Sequence, residues 1–97
     1  MSMAPQELEK SASKYAAAAI RADSQGAVGM AITDYQNASD ILMKLIRLYP
    51  TSSVNKIYMQ SYQKYQERIK ALQDTRGDIE PVVDSNASPE EQKKALA

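Results

Sequence analysis

The chain has 97 residues, 12 Lys and Arg against 12 Asp and Glu, and no His, Cys, Trp or Phe. That length holds one small domain, and the missing residue types exclude disulfide staples, Cys- or His-based zinc sites, thiol nucleophiles and the base of a Ser-His-Asp triad. A formal net charge of zero argues against a strongly basic nucleic-acid binder, and the longest apolar run, residues 15–20, is too short to span a membrane.

The first predicted helix runs from about Pro5 to Gln25. Proline suits the first helical position, and Glu7 and Glu9 favour the positive end of the helix dipole. Leu8, Ala12, Tyr15, Ala19 and Ala22 step by helical intervals and draw a narrow stripe. Alanines at 16, 17, 18, 19 and 22 make this helix thin, so neighbours can approach closely. Gly26 is placed to stop it, because glycine takes positive φ without a Cβ clash.

The second helix is expected from about Ala27 to Tyr49. Ala31, Tyr35, Ala38, Leu42, Leu45 and Tyr49 form its stripe, widened by Val28, Ile32, Ile41, Ile46 and Leu48. A stripe that broad serves two neighbours. Lys44 and Arg47 sit in the last turns, where the dipole favours cations. Pro50 forbids continuation.

The third helix is expected to start near Thr51 or Ser52, either of which can cap it, and to end near Asp74, before Gly77. Its stripe is Val54, Tyr58, Tyr62 (or Ser61), Tyr65, Ile69 and Leu72. No segment alternates as a strand does. Short connections make neighbouring helices antiparallel, so the expected fold is all-α, an up-down-up antiparallel three-helix bundle over residues 5–74.

Residues 1–74 carry nine basic and seven acidic residues, and residues 75–97 carry three and five. The second stretch has two prolines, a glycine and no aromatic. It reads as an acidic flexible linker. Within it, Ser88-Pro89-Glu90-Glu91 has the order of a helix start, as though a longer protein continued.

No residue pattern supports catalysis. There is no phosphate-cradling loop, and the carboxylates are scattered on polar faces. No catalytic residue, metal site or cofactor is therefore assigned. Asn37 and Asn86 each begin an Asn-Ala-Ser triplet, a pattern frequent by chance. The tyrosines 15, 35, 62 and 65 fall on apolar stripes, so their rings are expected in the core with hydroxyls at the edge. Lys56, Lys64, Arg68 and Lys70 supply only a thin basic strip for base stacking, and no nucleic-acid partner is expected.

One constellation is more specific: Asp23-x-x-Gly26-x-x-x-x-Ala31-Ile32-x-x-Tyr35-x-x-Ala38, followed later by Tyr65-Gln66-Glu67-Arg68-Ile69-Lys70-Ala71-Leu72. Glycine turns the chain, and small residues flank one large ring at helical spacing. Together these segments resemble the MIT (microtubule-interacting and trafficking) domain over about residues 7–74. The likeness is to the N-terminal domain of ESCRT-III-remodelling AAA ATPases, especially the archaeal cell-division type, and includes the Leu48-Tyr49-Pro50 ending. Tetratricopeptide repeats share a glycine-turn, Ala, Tyr, Ala pattern, but the second helix here is too long for such a repeat and no second copy follows.

The resemblance implies a docking domain for C-terminal tails of ESCRT-III-like proteins, with two grooves. One, between helices 2 and 3, takes a leucine-anchored helix; the other, between helices 1 and 3, takes an extended proline-containing peptide. Gln63 and Gln66 put polar groups beside the first. Ala16 and Ile20, one turn apart on the first helix, with Met59 and Tyr62 facing them, are expected to form the second. The candidate binding residues are thus Ala16, Ile20, Met59, Tyr62 and Gln63. The implied setting is cytoplasmic, without direct membrane insertion and with the isolated domain a monomer. Alternatives are a stand-alone adaptor or a tetratricopeptide-like interaction bundle, leucine-helix binding in the helix 2/3 groove, and a self-associating structural bundle.

Overall fold

A computed structural model describes residues 4–79. Three helices follow one another, α1 (Pro5–Ser24), α2 (Val28–Leu48) and α3 (Asn55–Ile79). They form the up-down-up bundle expected, with no strand among the described residues. None of the helices is long and apolar enough to cross a membrane.

Each boundary has a local cause. At the start of α1 the extended Ala4 has no capping side chain; its carbonyl accepts from the amides of Glu7 and Leu8 at 3.0 and 3.1 Å, with Pro5 at the first helical position. At the other end Gly26 has φ 77°. That left-handed residue lets Ala27 N–H reach the Ala22 carbonyl at 2.9 Å and Gly26 N–H reach that of Asp23 at 3.1 Å. This pair of bonds is the Schellman closure of a helix end.

The α2–α3 connection is longer than expected. After Tyr49 the chain makes a turn in which Ser52 N–H bonds the Tyr49 carbonyl at 3.1 Å and the Asn55 side-chain amide donates to the same carbonyl at 2.7 Å. Backbone groups of Ser52 and Val54 are engaged in this reversal, and α3 begins at Asn55 rather than at Thr51 or Ser52. Its first-turn amides from Ile57 and Tyr58 bond the Val54 carbonyl. α3 also passes the expected stop near Asp74 and continues through Gly77 to Ile79. One glycine costs a helix only about 1 kcal/mol relative to alanine, too little to end it without a terminating bond pattern. The rest of the stretch expected to be an acidic linker, with the helix start expected at Ser88, lies outside the described residues.

The core has two parts. One joins Ala19 and Ala22 of α1, Ala31 and Tyr35 of α2, and Ile69 and Leu72 of α3. The other joins Leu8 and Ala12 to Leu42 and Leu45, with Tyr58, Tyr62 and Tyr65 packed against it. Tyr65 touches both, and its ring lies 5.6 Å from that of Tyr35, tilted by 33°. Alanines let α1 lie directly on α2. The tyrosines of α3 are bulkier, and among the described residues no Cα of α1 comes within 8 Å of one of α3. Both outer helices therefore pack on α2 and stand apart from each other.

Several stripe residues do not join the core, among them Leu48. Tyr15, Tyr49 and Val54 are at the surface, Tyr15 being 39% exposed. On α1 the buried series is Leu8, Ala12, Ala16, Ala19 and Ala22. A small residue occupies the turn where the sequence stripe placed a ring, and Tyr15 lies instead among Ser11, Lys14, Ala18, Arg21 and Asp34.

Candidate peptide groove

The separation of α1 from α3 leaves a furrow of about 510 Å³. Its α1 wall is Glu9, Ala12, Ser13, Ala16, Ala17 and Ile20; Leu42 of α2 lies beneath; Ile57, Tyr58, Ser61 and Tyr65 form the α3 wall. The lining is mostly apolar and small on the α1 side. That follows from the alanine run, which gives α1 a surface with little side-chain relief. Ile20 and Ile57 are the large apolar groups of its rim, 57% and 59% exposed.

Two polar ties cross from α1 to α3. At one end the Tyr58 hydroxyl donates to a Glu9 carboxylate oxygen. At the other, Arg68 Nε and Nη2 donate to the two oxygens of Asp23 at 2.7 and 2.8 Å. The Tyr35 hydroxyl donates to Asp23 Oδ2 at 3.0 Å. One carboxylate thus gathers all three helices, using residues of the Asp-Gly-Ala-Tyr and Tyr-x-x-Arg segments singled out in the sequence.

The electrostatics follow from these contacts. Hydrogen bonding from the Arg68 guanidinium holds the Asp23 carboxyl below its ordinary value, against the opposing effect of desolvation and with further help from Tyr35. Asp23 in turn raises the Arg68 pKa. Desolvation, then the bond to Asp23, raises that of Tyr35. Tyr58 is pushed up to about 12, first by desolvation and then by its bond to Glu9.

The five residues expected to bind peptide are placed as follows. Ala16 is buried at the furrow floor and Ile20 stands on its wall. Met59, Tyr62 and Gln63 do not line it. Tyr62 packs on the cluster of Leu8, Ala12, Leu42 and Leu45, Met59 is half-buried, and Gln63 is exposed beside Gln60, Lys64 and Glu67. Successive residues turn about 100° around a helix, so positions 59 and 63 fall off the face carrying Ile57, Tyr58, Ser61 and Tyr65, while Tyr62, one turn after Tyr58, lies at the edge of that face and packs on the core. The lining also holds residues outside that set, and Ile57 is the large exposed apolar one among them. It lies off the α3 stripe, as Ile20 lies off that of α1, and that shared feature was the available signal. Gln66 is half-buried and its amide nitrogen has no hydrogen-bond partner among the described residues. No group of His, Cys, Asp and Glu among the described residues is arranged to hold a metal.

A three-helix bundle with an apolar surface furrow has the form of a helical protein-interaction module. The chain belongs to the MIT (microtubule interacting and transport) domain family, whose profile matches residues 9–74. A stretch of 53 residues is 43% identical to Cell division protein C of Sulfolobus acidocaldarius; it makes up 55% of this chain and 14% of that protein. The match therefore spans only a small part of that relative.

Proposed function

We propose that this chain is the docking domain of a longer AAA ATPase and binds a C-terminal, proline-containing motif of ESCRT-III-like filament subunits in the α1/α3 furrow. Binding recruits the motor to the polymer in the cytoplasm; the chain itself performs no chemistry. MIT family membership and the similarity to a cell-division protein support the docking role. The observation that carries the choice of furrow is the gap between α1 and α3 beside two exposed isoleucines, Ile20 and Ile57. An extended segment fits a narrow furrow of this kind, and its prolines limit the entropy lost on binding. Affinity per site is modest, since the peptide orders as it binds. Many domains on one motor facing many tails would then bind through avidity.

The test is a titration of proline-containing and leucine-helix peptides against the chain and its Ile20→Asp variant. Ile20 is more than half exposed, so this variant keeps its helicity. The expected result is binding of the proline-containing peptide, weakened at least tenfold by Ile20→Asp, the loss of about 1.4 kcal/mol. Equal binding to the variant, or binding of the leucine helix alone, contradicts the assignment.

A further inference from the structure

The two ties between α1 and α3 differ in charge balance. Asp23 is met by a guanidinium and a tyrosine hydroxyl. Glu9 is met by the neutral Tyr58 hydroxyl, and among the described residues it has no cationic partner within 4.0 Å. Glu9 is also the one charged residue in the furrow lining. The furrow is thus an apolar channel with a single unbalanced carboxylate at one end.

One tie lies at the Glu9 end of the furrow, and the other lies one turn beyond Ile20, the last lining residue of α1. Glu9 and Asp23 are separated along α1 by about 21 Å, at a helical rise of ~1.5 Å per residue. A proline-type extended chain advances ~3.1 Å per residue, so about six or seven residues fill that span. Ile57 neighbours Tyr58, which reaches Glu9. Ile20 lies one turn before Asp23, which pairs with Arg68. The two exposed isoleucines therefore stand on opposite walls and toward opposite ends.

Resting on the furrow reading above, we propose that the occupant is an extended segment of about six or seven residues with a Lys or Arg at the end that meets Glu9. Apolar side chains of the same segment lie against Ile57 and Ile20. The cation supplies register and direction: it places one end of the segment at Glu9 and forbids the reversed placement. A carboxylate at that position of the peptide is repelled.

The experiment uses the full 97-residue chain and fluorescence anisotropy of labelled seven-residue peptides of alternating leucine, alanine and proline. Lysine, glutamate or glutamine is placed first in one set and last in a second. At low salt, in one of the two sets, the lysine peptide is expected to bind about three- to fivefold more tightly than the glutamine peptide, as for a partly exposed ion pair. The glutamate peptide is expected to bind more weakly than either. The preference shrinks as salt screens the pair. Glu9→Gln, which keeps an acceptor for Tyr58, removes the preference, and Glu9→Lys inverts it. Binding that is lost in Ile20→Asp but shows no charge preference in either set overturns this proposal and leaves the furrow reading standing. Binding of no peptide in a manner sensitive to Ile20→Asp overturns both.

Discussion

Asp23 ties the helices by charge and hydrogen bonding where alanines leave little to pack. Its folded pKa is lowered, so its contribution to stability is present above the ordinary carboxylate value near 3.8. That contribution is lost as pH falls through the lowered folded value. Chemical denaturation of Asp23→Asn is therefore expected to show a deficit at pH 7 that closes at the acid end. Tyr58 has the opposite sign. Its folded pKa is raised from 10.0 to about 12, so its contribution is intact below pH 10 and disappears as pH rises toward 12. Tyr58→Phe should lack this alkaline component. At Gly26 an added Cβ would meet nothing within 4 Å, so the penalty of Gly26→Ala is that of positive φ alone, about 1–2 kcal/mol. Gly26→Asn should lose less, since asparagine tolerates that conformation. Ser39 is fully buried, and its hydroxyl has no partner among the described residues. Ser39→Ala is expected to leave stability unchanged or raise it by about 1 kcal/mol, read from the urea midpoint.

α1 and α3 use different kinds of residue and so sit differently on α2. Ala19, Ala31 and Ala38 have no exposed surface, and Ala19 and Ala31 share the core cluster in which α1 lies on α2. Enlarging one of them, as in Ala31→Leu, is expected to cost about 1–3 kcal/mol by overpacking, measured by thermal or urea unfolding. The ends of α1 and α2 were legible to within a residue or so, because Pro5, Gly26 and Pro50 act through their own backbone geometry. The ends of α3 were not. Its start depends on Asn55 reaching back six residues to Tyr49, a turn wider than the capping patterns read at Thr51 and Ser52. At its other end, Gly77 marks a permissive place rather than a stop. The stripe on α1 also misled at Tyr15, since a spacing of 4, 3, 4, 3 fits position 15 while the packed helix buries position 16. That single-residue difference in phase matters for the site. The α1 half of the furrow, Ala16 and Ile20, was readable from their places off the stripe. The α3 half was not, because choosing among positions 57, 58, 59, 61 and 62 requires the rotation of α3 about its own axis.

The whole molecule is a bundle in which the middle helix carries both outer ones. Such an arrangement leaves a furrow by construction, since two helices on one face of a third need bulk between them to close the gap. Here α1 contributes alanine and serine to that gap, and the tyrosines of α3 fill only part of it. The nine-to-seven charge balance of residues 1–74 leaves the bundle nearly neutral, so in the proposed binding mode selectivity rests on local groups such as Glu9, Ile20 and Ile57. Chemical-shift mapping of the chain titrated with a proline-containing ESCRT-III-like tail peptide tests the central claim most directly. The largest shifts are expected at Ala16, Ile20, Ile57 and Ser61, with α2 surface residues such as Gln36 and Lys44 unmoved. Shifts confined to α2 and the far side of α3, or none at all, would contradict it.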